Sequence, residues 1–297
     1  MILVDNYTDQ LLFQNTDVVK RAMTPPPDFP LAEHGFSCLL KVSAGIEEHT
    51  VMMDAGMSST CLFHNARVFR KDLSQIESVF LSHGHIDHYG GLMGLMTSVR
   101  KGMSLHVHPE AFLERRLNIP GVGPSRSQTQ DEKALGEIGV AVQKASDPTV
   151  LASGLIMTSG EVKRVTDFEK GFPLAEAKID ENWVVDPFHD DQAIAVKLKD
   201  KGLVVVSGCA HAGIINTVKH IQRIVESDKI LAVLGGFHLT GQIFEPVISP
   251  TIEEMNKIKP DHVVPMHCTG WNAMGQFAKE MPEQFILNTV GTTYVFQ

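Results

Sequence analysis

One segment constrains this chain more than any other: Ser82-His83-Gly84-His85-Ile86-Asp87-His88-Tyr89-Gly90-Gly91. It follows a short apolar run, Ser78–Leu81, and leads into a stretch that reads as a helix, Gly90–Val99. On an extended chain, residues two apart point the same way. His83 and His85 therefore offer two imidazoles to one position, while Asp87 and His88, beyond the bend, face a second. Four donor side chains within His83–His88 form a dense set of metal ligands. Imidazole with carboxylate suits zinc, and also manganese, iron or nickel. A polar turn that merely happens to be rich in histidine is the competing reading, and the density of donors argues against it. The two glycines allow a sharp turn and a close approach of helix to strand.

The rest of the chain supplies a scaffold of alternating elements. Strand-like runs occur at Ser37–Val42, Thr50–Met53, Ser78–Leu81 and Ser104–Val107. The second half repeats the pattern. Gln192–Leu198 and Leu203–Val206 read as a strand pair turned by Asp200-Lys201-Gly202. Ile215–Val225 reads as helix, Ile230–Leu234 as strand, Thr251–Ile258 as helix and His262–Pro265 as strand. Two similar halves of strands with helices between them predict an α/β chain with sheets face to face and helices outside. The stretch from Pro109 to Asp186 differs, with Pro120-Gly121-Val122-Gly123-Pro124 and polar runs such as Ser125–Lys133. It reads as an insertion with partial structure that covers a cleft, or else as a surface excursion without function. The expectation is one domain over 1–297 with an insertion or lid at about 109–186.

Composition narrows the partners. The net charge is −9 and there is no basic cluster, so nucleic acid is a poor partner. No apolar run approaches the length of a membrane span, and MILVDNYTDQ carries no export signal. Cys38, Cys61, Cys209 and Cys268 form no CxxC pair, which suits a reducing cytoplasm. The expected partner is a small-molecule substrate, with no nucleic acid and no membrane. A homo-oligomer is left open.

His83–His88, as HGHIDH, resembles the HxHxDH signature of the metallo-β-lactamase superfamily, and Asp54-Ala55-Gly56 resembles the Asp-x-Gly that ends an early strand there. Ala32–Ser37, Asp190–Ala193, Ser207–Ile214, Gly235–Leu239 and Met266–Gly270 resemble one branch. Its members are 7,8-dihydropterin-6-yl-methyl-4-(β-D-ribofuranosyl)aminobenzene 5′-phosphate synthase-like proteins. The likeness covers nearly the whole chain except Pro109–Asp186. It implies an αββα sandwich with a dinuclear site, two divalent ions with zinc first, between mixed sheets. HxHxDH is specific for the superfamily; the branch motifs say little about the substrate.

The resemblance also implies the remaining ligands. His267 matches the last metal ligand. Cys209 stands where most relatives carry a bridging Asp, so this chain departs from the pattern; Cys209 and His211 are the substitutes, with a buried structural cysteine as the alternative for Cys209. The third ligand has no clean match, and His189, Asp190 and Asp191 compete for that corner. His238, in Gly235-Gly236-Phe237-His238, is expected as ligand, proton donor or substrate contact, and Asp87 as catalytic besides its metal role. His34 is expected at the rim of the cleft and Asp54 as an acceptor behind a ligand imidazole. His106 and His108 imitate a ligand pair but read as polar groups on the outer face of a strand.

The implied chemistry is hydrolysis of an ester-type bond, phosphoesters foremost, by a hydroxide held between two metals. The alternatives are a synthase condensing a dihydropterin with a ribofuranosylaminobenzene phosphate, and a non-catalytic binding protein on the same fold.

Overall fold

The computed structural model describes residues 1–99 and 102–297. The first half builds β1 (Ile2–Val4), β2 (Val19–Lys20), β3 (Ser37–Ala44), β4 (Glu47–Met53), α1 (Ser59–Val68) and β5 (Ser78–Phe80). Then come α2 (Ile86–Tyr89), α3 (Leu92–Ser98) and β6 (Ser104–Val107). The middle carries β7 (Arg115–Ile119), β8 (Gly123–Arg126), α4 (Glu132–Glu137), β9 (Ala141–Lys144), β10 (Val150–Leu151), β11 (Ile156–Thr158), β12 (Ala175–Ile179) and β13 (Asn182–Val185). The last part comprises β14 (Ala193–Leu198), β15 (Gly202–Ser207), α5 (Ile214–Val225), β16 (Ile230–Gly236), α6 (Glu245–Ile258), β17 (His262–Met266), α7 (Trp271–Glu280) and β18 (Thr293–Tyr294).

Two six-stranded mixed sheets dominate, in the orders β1-β3-β4-β5-β6-β9 and β10-β11-β14-β15-β16-β17. Side chains on a strand alternate between faces, and the cores show it. Cys38, Val51, Met53 and Phe80 of the first sheet meet Ile194, Val204, Val206 and Leu234 of the second in one cluster. The opposite faces bury against helices. Met52, Val79 and Leu105 pack with Leu62 of α1 and Leu95 of α3. Val205, Val233 and Val263 pack with Val218 of α5, Met255 of α6 and Phe277 of α7. The result is the expected αββα sandwich. None of the helices among the described residues is long and apolar enough to cross a membrane.

Three expectations change. The stretch 109–186 is not one insertion: β9 pairs in parallel with β6, and β11 pairs with β14. It thus adds edge strands to both core sheets, and only β7, β8, β12 and β13 form a sheet of their own. Strands β9, β10 and β11 are only two to four residues long, too short for a period to reveal them. The helix expected over Gly90–Val99 is α3, Leu92–Ser98, and a separate short helix, α2, precedes it before Gly90-Gly91. The helix expected from Thr251 starts at Glu245, with Pro246 in its first turn, where no amide hydrogen is needed. Pro250 is held inside it, so proline there does not mark the boundary.

Candidate metal centre

Strands β4 and β5 run parallel, as do β15, β16 and β17, so the chain leaves each group of strands on one edge of its sheet. Asp54 follows β4, His83–His88 follow β5, Cys209 and His211 follow β15, His238 follows β16 and His267 follows β17. This is where open α/β sheets gather ligands. Asp54, Ala210, His238 and His267 all hold left-handed backbone, with φ of 58°, 57°, 46° and 52°. Non-glycine residues in that region cost roughly 1 kcal/mol or more each and persist where surrounding structure over-determines them. Gly208 marks a close approach of the two halves: a Cβ there would overlap the Ser82 hydroxyl.

Donor atoms of Asp87, His88, Cys209 and His267 lie within 4.8 Å of one another, and so do those of His83, Cys209 and His211. All these residues are buried. His88 Nε2 lies 3.2 Å from His267 Nε2 and 3.1 Å from Cys209 Sγ, and His211 Nε2 lies 3.1 Å from His85 Nδ1. Only one proton fits between two such ring nitrogens, so lone pairs converge on shared space. His83 Nε2 and His211 Nδ1 are buried with no hydrogen-bond partner among the described residues. Bare imidazole nitrogens packed together in this way, with a carboxylate and a thiol, are chemically suited to a soft-to-borderline divalent cation.

Outer contacts fix the rings. His88 Nδ1 donates to Asp54 Oδ2 at 2.6 Å, which leaves Nε2 free for the cluster. Asp54 also accepts the Ser82 amide and hydroxyl, each at 2.7 Å. His267 Nδ1 donates to Asn6 Oδ1 at 3.1 Å, and Asn6 Nδ2 donates to the His267 carbonyl. Phe188 stacks on His211, with centroids 4.3 Å apart.

Burial opposes charge throughout the pocket. Burial holds His83 and His211 well below the ordinary imidazole value, and brings His85 and His267 to about 4. Burial works against the charged form of Asp87 too, but the His88 and His267 imidazoles outweigh it and keep this carboxyl well below its usual range. For His88 the order reverses: burial lowers it, yet Asp87 and Asp54 raise it above its ordinary value. Burial, then the neighbouring Cys268, push the Cys209 thiol well up.

The remaining expected residues fall into place unevenly. His34 is exposed at the rim, with Nε2 3.5 Å from Asp87 Oδ2, and Asn6 bonds its Nδ1. His238 packs against His211 at 4.2 Å between ring centroids, and burial brings it to about 3. It lines a cavity of about 200 Å³ with Phe168, Phe237, Leu239 and Phe244. His189 points away, its exposed ring 3.2 Å from the Glu110 carboxylate. Asp190 accepts the Gly84 amide and an Arg115 guanidinium bond. Asp191 accepts the Ala212 amide through Oδ2, while its buried Oδ1 has no partner. His108 is not on an outer face: it is buried, and its Nδ1 accepts the Glu110 amide to cap a short turn. Asn6 and Phe188 had no local signal, since each meets its imidazole across the fold; Asn6 is 261 residues from His267.

The β-lactamase superfamily domain model matches residues 49–147. The chain is 31% identical over 262 residues to the 7,8-dihydropterin-6-methyl-4-(β-D-ribofuranosyl)-aminobenzene-5′-phosphate synthase of Methanocaldococcus jannaschii, covering 86% of this chain and 87% of that one. An uncharacterised protein of the same organism is 29% identical, over 84% of this chain and 88% of its own. The crystal structure of a metal-dependent hydrolase of the β-lactamase superfamily superposes with a TM-score of 0.75 at 24% identity, covering 100% of this chain and 98% of that one. Zinc-bound PqqB of Methylobacterium extorquens shares the fold, with a TM-score of 0.51 at 13% identity and 86% of each chain covered. With this sandwich, this donor cluster and these relatives, the chain belongs to the metallo-β-lactamase superfamily, in the branch of the dihydropterin–ribofuranosylaminobenzene phosphate synthase-like proteins.

Proposed function

We propose that the chain is a metal-dependent hydrolase of ester-type bonds, phosphoesters foremost, holding two divalent ions with zinc first. The observation that carries this reading is the pair of donor groups that share Cys209, with His83 Nε2 buried and unpartnered beside them. Asp87, His88, Cys209 and His267 would hold one ion, and His83, Cys209 and His211, with His85 adjoining, the other. Bound there, two ions supply Lewis acidity toward substrate oxygens and activate water at neutral pH.

The chain's own residues would do the rest. Asp87 stays ionised and contributes negative charge where two cations would repel. His238 is held neutral, so it serves a leaving-group oxygen as an N–H donor and not as a reservoir of a full proton. His34, exposed at the rim beside Asp87, contacts the part of the substrate that remains near solvent. Phe237 and Phe244 wall the adjoining cavity and exclude water from the bond that breaks. The test is a panel of activated phosphodiesters, phosphotriesters, carboxyl esters and lactones, run with metal-loaded protein and with His83→Ala. Turnover of phosphoesters that disappears in the variant supports the reading. Turnover of carboxyl esters or lactones with all phosphoesters untouched would overturn the stated preference.

A second reading is a condensing synthase that joins a dihydropterin to a ribofuranosylaminobenzene phosphate. It is favoured by the 31%-identical relative and by the cavity next to His238, whose walls of Phe168, Phe237 and Phe244 suit a flat ring. Incubation with that substrate pair, followed by mass spectrometry for the joined product, separates the two. The intact His83–His88 motif argues against a purely non-catalytic role.

A further inference from the structure

We propose that Arg115 is a positioning residue through which the small sheet of β7, β8, β12 and β13 holds the metal-binding loops in place. The proposal rests on the reading of the cluster as a metal site. Arg115 lies on β7 and is 4% exposed. Its Nε donates to Asp186 Oδ2 and its Nη2 to Asp190 Oδ1, each at 2.7 Å. Both carboxylates are buried and bracket a short segment that leads from the small sheet into β14.

That segment touches the cluster at three points. Asp190 Oδ2 accepts the Gly84 amide at 2.8 Å, at the centre of His83-Gly84-His85. Asp191 Oδ2 accepts the Ala212 amide at 2.9 Å, next to His211. Asp186 Oδ1 accepts the Phe188 amide at 2.8 Å, and the Phe188 ring stacks on His211 and meets His85 edge to face. One guanidinium thus ties two carboxylates, and through them the loop after β5 and the loop after β15. The fit at Gly84 is tight: a Cβ there would lie 2.6 Å from Arg115 Nη1 and would overlap the Ala111 carbonyl. A second contact strengthens the link, since the Tyr89 hydroxyl, next to His88, donates to the Gln128 carbonyl just past β8.

Removing one partner of a buried charged set leaves the others uncompensated. Asp186 and Asp190 would then repel, and the Gly84 amide would lose its fixed acceptor. Contacts that orient metal ligands are worth roughly 10–100-fold in metal affinity when removed. The experiment measures zinc affinity by competition with a chromogenic chelator, and the visible spectrum of the cobalt-substituted protein, for wild type, Arg115→Met, Arg115→Lys, Asp190→Ala and Arg116→Ala. Cobalt bands report ligand geometry independently of turnover. Arg116, on the same strand, bonds Glu176 and lies 4.2 Å over the Trp183 ring, outside the tie, and so controls for damage to the small sheet alone.

Arg115→Met and Asp190→Ala are expected to weaken zinc binding about tenfold or more and to shift the cobalt bands. Arg115→Lys, which keeps the charge and one carboxylate contact, is expected to fall between, and Arg116→Ala to match wild type. Folded Asp190→Ala and Arg115→Lys that both bind zinc as wild type does would overturn the proposal, even if Arg115→Met fails to fold. Equal weakening in Arg116→Ala would also overturn it, by tracing the loss to the sheet as a whole. A wild-type protein that takes up no metal would instead sink the reading of the cluster itself.

Discussion

Asp54→Asn tests how the cluster is kept ready for metal. The native carboxylate accepts three donors: the Ser82 amide, the Ser82 hydroxyl and His88 Nδ1–H. An amide of the same shape has one acceptor oxygen, and its nitrogen can only donate. With the oxygen kept on the Ser82 amide, the nitrogen faces His88 Nδ1–H, donor against donor. The ring escapes by moving its proton to Nε2. That nitrogen is the one 3.2 Å from His267 Nε2 and 3.1 Å from Cys209 Sγ, so the lone pair needed for metal is lost. Loss of such a contact is worth about 10–100-fold in metal affinity, or roughly 1.4–2.7 kcal/mol. Competition titration with a chelator of known affinity reads it directly. Circular dichroism and thermal melting of the metal-free forms separate an effect on binding from one on folding. A folded variant whose affinity stays within about threefold of wild type would refute the reasoning that Asp54 sets the His88 tautomer.

Other consequences follow from the same structure. His211→Ala is expected to lose one metal per chain by elemental analysis; Cys209→Ser, at the residue both donor groups share, is expected to lose at least one, and retention of two in either would remove that residue from the ligand set. Because His88 is raised and Cys209 is raised well above its ordinary value, metal binding must displace protons there, so zinc affinity should climb with pH across the neutral range by up to about tenfold per unit for each proton displaced; a flat profile would contradict this. His238→Ala should slow substrates with poor leaving groups most and spare metal content, and equal slowing across leaving groups would make His238 structural. Glu169 is buried, accepts the Ile215 and Asn216 amides at the start of α5, and burial raises it from 4.5 to about 7. The folded state therefore binds its proton more tightly than the unfolded chain does. The stability this contributes is present below pH 4.5 and is lost as pH rises to 7, about 3 kcal/mol in all. The stability difference between wild type and Glu169→Gln, measured by urea unfolding, should shift by that amount in favour of the variant between those pH values; a constant difference would refute it.

The sequence made the scaffold legible where periodicity was strong. Leu203-Val204-Val205-Val206 is apolar without a break, the mark of a strand buried on both faces, and β15 does lie between two apolar layers. His83–His88 announced the cluster because its donors are local. Strands β9 and β10, at the sheet edges, and β11, between β10 and β14, were hidden because strands of two to four residues are too short to show a period. The ties behind the cluster were hidden for a different reason. Asn6 to His267 and Arg115 to Asp190 join residues distant along the chain, and a lone Asn or Arg carries no spacing to read. His189 was misplaced by position alone: its neighbours Asp190 and Asp191 turn inward, while its own ring turns out to Glu110.

Two metal ions are expected on the donor groups that share Cys209. Anomalous diffraction at the zinc edge, from crystals of the protein grown with zinc, tests it most directly. Two strong peaks are expected, one among Asp87, His88, Cys209 and His267, the other among His83, Cys209 and His211. An anomalous map with no peak within bonding distance of these side chains would contradict it.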